Sequence, residues 1–383
     1  MIAASPVGAQ EGETGNRSCT LRLQPTDSTE ARRIETGPET YITHVWGGLV
    51  WTCGDARMEA DSAVKYDLDA RLEMIGSVDY RDSIRTLTSR ELEYFEREDR
   101  IVARGDVFLT RLASESTLEA PRVEFFRAMG PGPQRTLASG RAHMVFHTDT
   151  VPPRDGPPVV VDADEAEFLG EREVRAWGDV EITRPDLEAT ADSAVFRREE
   201  GTGELFGSPE ARSEGFTLAG ERLRTRFEEG EIDRVEAVGD ARASGESFEL
   251  FAPRIVARVS GEEVEELWAF GEGRVAALSE TYRLGGDSIR FAFVEGAIDS
   301  LQSVGGATAL QVGDDPPDDP RAEPVLDVEG SRSWVTGDTV TLSFESDDGE
   351  RPSPAAPPDS ASTDPDTTSD AAGPTTPGAA ADT

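Results

Sequence analysis

The chain has 383 residues, 37% hydrophobic and 7% aromatic, with 76 acidic against 38 basic side chains and a net charge of −38. Counting glycine, the apolar share is roughly 46%, which is globular and excludes a wholly disordered chain. The acidic surplus excludes nucleic acid as a partner, since that affinity comes from Lys and Arg neutralising phosphates, and no run approaches the ~18–20 apolar residues of a membrane-spanning helix.

In chain order, residues 1–10 read MIAASPVGAQ, with Val7-Gly8-Ala9 in the small-x-small pattern of an export cleavage site. They are expected to be the remnant of an export signal. Residues 11–40 are polar and Gly-containing, a lead-in rather than a repeat. Cys19 and Cys53 are too few for a disulfide scaffold or a zinc site; one disulfide or two free thiols are the alternatives.

From residue 41 the sequence repeats itself. Ala60-Asp61-Ser62-Ala63-Val64 returns as Ala191-Asp192-Ser193-Ala194-Val195, and Gly-Ser follows at the same distance, at Gly76-Ser77 and Gly207-Ser208. Weaker copies place a glycine in a strand-like run at Gly105, Gly140, Gly178, Gly239, Gly271 and Gly305, about 29 to 38 residues apart. Period-2 alternation sets Leu72, Met74, Gly76, Val78 and Tyr80 on one face, then Ile101, Ala103, Gly105, Val107 and Leu109, then Val174, Ala176, Gly178, Val180 and Ile182. Val235, Leu267 and Leu301 keep this register in later copies. The pattern predicts an all-β chain of repeated antiparallel strand pairs, roughly sixteen to eighteen strands in all.

The recurring glycine sits with the apolar residues. Either it lets the sheet bend over a packed core, or a Gly/Ala column floors an apolar trough. The repeats divide into a first half, 41–151, and a second half, 159–311, around the Pro-rich break at 152–158. An acidic, Pro-rich linker and an incomplete last repeat occupy 312–349. Residues 350–383 contain no Val, Ile, Leu, Met or aromatic residue, so a disordered tail is predicted.

Catalytic inventory is thin. His143 and His147 alternate as in a strand and read as solvated, and His44 stands apart. Gly271-Glu272-Gly273-Arg274-Val275-Ala276 fits a loose dinucleotide fingerprint but lies among strands instead of opening a helix. The repeated Asp61, Asp192, Asp287 and Asp338 lack the frame of a calcium-binding solenoid, and a turn role with local backbone hydrogen bonds is expected. No catalytic residue, metal site or cofactor is predicted, and the chain is expected not to be an enzyme.

The cycle from Met58-Glu59-Ala60-Asp61-Ser62-Ala63-Val64-Lys65-Tyr66 to Gly76-Ser77-Val78, returning over Arg90 to Val107 and in Trp177-Gly178-Asp179-Val180-Glu181-Ile182, resembles the OstA/LptA-like (organic solvent tolerance) family of lipopolysaccharide transport proteins. The resemblance covers roughly 41–310. It implies an elongated open β-jelly-roll in the periplasm, whose apolar groove holds lipid acyl chains. Leu72, Met74, Val78, Ile101, Val107, Leu109, Val174, Val180, Ile182, Val235, Leu267 and Leu301 would line that groove. The implied partners are lipopolysaccharide or a related lipid, an inner-membrane transport complex, an outer-membrane assembly barrel and further copies joined head to tail through edge strands. The competing expectation is an exported structural or adhesive β-solenoid with a closed core and no cargo. A polysaccharide-acting β-helix would need Asp61, Asp192 and Asp287 to converge.

Overall fold

A computed structural model describes residues 21–127, 134–148, 156–213, 215–261, 263–280, 282–311 and 333–343. The export remnant, Cys19, the Pro-rich residues 149–155, the linker 312–332 and the tail 350–383 lie outside the described residues. The described chain is all-β. Its strands are β1 (Arg22–Pro25), β2 (Glu30–Gly37), β3 (Thr40–Cys53), β4 (Ala56–Tyr66), β5 (Arg71–Arg81), β6 (Arg85–Phe95), β7 (Arg100–Arg111) and β8 (Thr117–Phe126). They continue as β9 (Arg135–Phe146), β10 (Val159–Leu169), β11 (Glu173–Arg184), β12 (Leu187–Arg197), β13 (Thr202–Phe206), β14 (Glu210–Ser213), β15 (Phe216–Ala219) and β16 (Arg222–Glu228). The last are β17 (Glu231–Gly245), β18 (Glu249–Ser260), β19 (Glu263–Leu278), β20 (Tyr282–Val294), β21 (Ala297–Gln311) and β22 (Ser333–Ser343).

Successive long strands pair antiparallel with their chain neighbours in one sheet. β9 pairs with β10 from Phe146↔Val159 onward, so the sheet runs unbroken past the Pro-rich interruption. β22 pairs with β21 from Gln311↔Ser333 to Ser300↔Ser343, and the incomplete last repeat is therefore the terminal strand of the sheet. The segment read as a lead-in holds two strands as well: β1 pairs with one half of β3 and β2 with the other. This is a correction with a simple cause. β2 is an exposed edge strand along almost its whole length, so no hydrophobic alternation marks it.

Nearly every long strand is interrupted near its middle by a register shift, as between Ile75 and Val78 in the β5–β6 pair and between Trp177 and Val180 in the β11–β12 pair. Gly76 (φ 76°) and Ser77 (φ 45°) occupy the first of these, both in the left-handed region. Such a bulge bends and twists the strand. Each strand thus has two arms. The lower arms end in turns such as 67–70, 96–99 and 229–230, and the upper arms in turns such as 54–55, 82–84 and 246–248. β13 with β14, and β15 with β16, are single bent strands broken at the bend, which raises the strand count above the number expected. Inward residues of the two arms face one another and form one continuous apolar core.

Candidate functional site: the apolar interior and its lips

All the residues expected to line a groove point into this interior. Leu72, Met74, Ile101, Val174 and Leu267 lie on lower arms, with Val235 and Leu301, while Val78, Val107, Leu109, Val180 and Ile182 lie on upper arms. None is more than 6% exposed. Between β3 and β13 the interior is filled by the protein's own side chains. Tyr80 packs edge-on against Phe125 (5.4 Å between ring centres) and Phe146 against Phe196 (5.2 Å), each pair reaching from one arm to the other.

The glycines do not floor that interior. A Cβ on Gly76 would meet Asp61 Oδ2 at 2.5 Å, on Gly178 it would meet Asp164 Oδ2 at 2.6 Å, and on Gly207 it would meet Asp192 Oδ2 at 2.1 Å. Those aspartates are exposed. The repeated Ala-Asp motif therefore caps, from outside, the bend of the following strand, and the same relation holds between Asp287 and Gly305. Asp61, Asp192 and Asp287 each serve a separate bend and do not converge. Of the two alternatives for the recurring glycine, the bend over a packed core is the one observed at these positions, while alanines such as Ala103 and Ala176 do face the core.

What closes the interior is a row of arginines. Arg85 (1% exposed) directs Nη2 to Gln134 Oε1 and Nη1 to Thr136 Oγ1 (3.3 Å), with its guanidinium 4.4 Å from the Phe125 ring. Arg111 donates to Glu171 Oε1 (2.7 Å), Arg198 to the His147 carbonyl (2.9 Å) and Arg184 to the Gly230 carbonyl (3.1 Å). Arg127 donates to Cys53 Sγ (2.9 Å), the Cys53 carbonyl (3.1 Å) and Asp55 (3.2 Å). Each of these contacts joins an upper-arm tip to a lower-arm tip. Among the described residues every strand pairing lies within an arm, so the lips are joined by side chains alone.

The joints share an offset. The upper-arm residue always meets a lower-arm residue later in the chain, from 46 residues later for Arg184 and Gly230 to 74 for Cys53 and Arg127. Sequence reasoning missed these arginines, although a signal is present. Val107-Phe108-Leu109-Thr110-Arg111 and Val180-Glu181-Ile182-Thr183-Arg184 each carry the inward alternation one step past the last apolar residue. Arg127 after Phe125 and Arg198 after Phe196 follow the same parity.

Charge at the lips is balanced locally. Burial pulls Arg85 below the usual guanidinium range, with the Asp82 carboxylate opposing it. Burial pushes Tyr80 upward, reinforced by Asp82, to which its hydroxyl donates at 2.6 Å. Burial raises Glu171, yet the charge and hydrogen bond of Arg111 hold it below the usual carboxylate range. Cys53 is disulfide-bonded, and the sequence's other cysteine, Cys19, lies outside the described residues. His143 meets Asp162 at 3.0 Å and His147 meets the Gly156 carbonyl at 3.3 Å. No group of three or more His, Cys, Asp or Glu side chains is arranged to hold a metal among the described residues, and none of their helices could cross a membrane.

Toward the C-terminal end the filling is incomplete. A cavity of about 500 Å³ lies between the arms, bounded by Phe248, Ala277, Leu278, Tyr282, Leu284, Phe291, Ile298 and Leu301, with Glu246, Ser247, Ser279 and Glu280 at its rim. A void of only about 30 Å³ precedes it, among Leu187, Phe216, Leu218, Ile232, Val235 and Val259.

No protein-family model matches the sequence, and no curated protein matches it. Among solved structures the chain is similar to LptH of Pseudomonas aeruginosa, the LptA-homologous periplasmic component of its lipopolysaccharide transport device. The identity is 13%, over 40% of this chain and 82% of that one, with a TM-score of 0.22.

Proposed function

We propose that this chain carries the acyl chains of lipopolysaccharide or a related lipid between its two arms, as a periplasmic bridge or shuttle from the inner toward the outer membrane. The observation behind the proposal is the construction of the interior. Behind the arginine lips it is a continuous apolar core, and among the described residues its two walls share backbone hydrogen bonds only through the bends. Side-chain joints can part without unpairing a strand. An acyl chain moving through water exposes each methylene at about 0.8 kcal/mol, so a carrier needs an extended apolar interior and no reactive group. The reading includes no catalytic step and no cofactor. The edges of β2 and β22 that pair with no strand among the described residues are where a transport complex, an assembly barrel or another copy would add a strand.

The filled stretch between β3 and β13 favours the second reading there, an exported structural solenoid with a closed core. Native mass spectrometry of the protein extracted without detergent separates the two. Recovery of a stoichiometric acyl lipid supports the carrier; a lipid-free protein that also binds none when incubated with lipopolysaccharide micelles refutes it.

A further inference from the structure

The shared direction of the lip offset has a consequence at each end of the sheet. Among the arginine joints the lower-arm partner lies 46 to 74 residues further along, and Phe248 leans the same way at a shorter separation, packing on Phe291 (4.9 Å, 43 residues later) and Phe293 (5.9 Å, 45 residues later). At a separation of about 43 residues or more, the only described strand within reach of the upper arms of β19 and β20 is β22, and none is described for β21. At the opposite end the only upper arm described before the lower arm β2 is β1, and β2 is exposed. Among the described residues no later lower arm covers this end at the spacing of the joints, and the 500 Å³ cavity lies there. That volume is within the ~300–1,000 Å³ of small-molecule sites.

From this geometry we infer that the cavity beyond Phe248 is a port that takes a single uncharged hydrocarbon chain, inserted end first until it meets the Phe248, Phe291 and Phe293 rings. The inference rests on the carrier reading and locates its first step. Ala277, Leu284, Ile298 and Leu301 supply an apolar wall, whereas the polar residues stand at the rim. Glu246 and Glu280 at the rim of a chain with net charge −38 oppose an anionic chain end, so the inserted part is neutral. Phe248 and Phe291 line the port and not the 30 Å³ void, whose volume is about that of one water and too small for a chain. Entry therefore stops at Phe248 while the lips beyond it remain joined.

The test uses the full chain and an uncharged fluorophore, N-phenyl-1-naphthylamine, displaced by 1-alkanols from six to fourteen carbons. Each added methylene should tighten displacement about fourfold until the port is full, after which the gain stops. Ala277→Phe should weaken the longer alkanols at least tenfold, and Leu301→Ala should move the point at which the gain stops to longer chains. Circular dichroism checks that each variant folds, and either variant alone suffices. A response that ignores both substitutions, or shows no dependence on chain length, overturns the port. If lipid is nevertheless recovered with the native protein, the carrier stands and only its location falls; if nothing binds, both fall.

Discussion

Replacing Arg85 with methionine tests whether the lips are held by side chains. The guanidinium is 1% exposed and reaches Gln134, Thr136 and the Phe125 ring on the opposite arm, whereas its Nε lies 3.6 Å from Asp82, beyond hydrogen-bond range. Removing one member of a buried ion pair costs about 3–5 kcal/mol when its partner is left alone. Asp82 is not left alone: it keeps the Tyr80 hydroxyl (2.6 Å) and the backbone N–H groups of Ile84 and residue 85 (2.8 Å each). Methionine also retains the packing of the stem and avoids burying a cation. The loss then reduces to two charge-assisted hydrogen bonds and one cation–π contact, less the recovered desolvation, or about 2–3 kcal/mol. Urea unfolding of Arg85→Met, Gln134→Ala and the double variant gives the joint itself, with an expected coupling of about 1–2 kcal/mol. A loss below about 0.5 kcal/mol, with no coupling, would refute the claim that this arginine joins the arms.

Gly207→Ala should destabilise more than Gly215→Ala. Both glycines have positive φ (84° and 68°), but a Cβ at Gly207 would lie 2.4 Å from Asp192 Cβ while at Gly215 it meets nothing. The shared left-handed cost is about 1–2 kcal/mol and the clash adds at least ~1 kcal/mol more at Gly207; equal unfolding midpoints would count against the bend-capping role of Asp192. Acid stability supplies another check. Glu171 and Glu93 are raised by burial but held below the usual range by arginines, Arg111 for the first and Arg104 with Arg71 for the second, and Arg197 with Arg224 lowers Glu204. Folded-state values below the unfolded one of about 4.3 mean that this stabilisation is present above that pH and is lost as pH falls through the folded values. Because relief of the −38 charge acts in the opposite sense, the measurement is a difference: wild type minus Glu171→Gln should shrink between pH 5 and 3, and a constant difference would exclude the Arg111–Glu171 pair as a contributor.

Strand identity was legible because inward and outward residues differ in polarity with a period of two, as in Leu72, Met74, Val78 and Tyr80. The same pattern made the inward residues readable, since a buried position on either arm needs an apolar side chain. It was silent on which arm each residue belongs to, because the bulge preserves the parity of β5 across Gly76. It was equally silent on closure. A trough and a filled core demand the same Val, Ile and Leu, and they differ only in what lies opposite, which depends on contacts distant in the chain, such as Tyr80 with Phe125 and Arg184 with Gly230. The Asp–Gly spacing was visible in the sequence, but its meaning required knowing that Asp61 and Gly76 sit side by side on neighbouring strands. β1 and β2 escaped notice for want of a buried face.

One geometric choice, the direction in which the lips are offset, makes the two ends of the sheet unlike. An antiparallel sheet folded symmetrically along its bends would close or open at both ends alike. Here each upper arm leans toward later strands, from Cys53 with Arg127 to Phe248 with Phe291, so among the described residues the first lower arms and the last upper arms are left over. The lower-arm remainder is β2, polar and exposed. The upper-arm remainder is apolar and surrounds a cavity. Direction along the interior is thereby written into the packing: arginine joints over a filled core at one end, phenylalanines beside an unfilled space at the other. On the proposed carrier reading a hydrocarbon chain would meet the latter first, because among the described residues no arginine joint has to be separated there before the apolar surface becomes available.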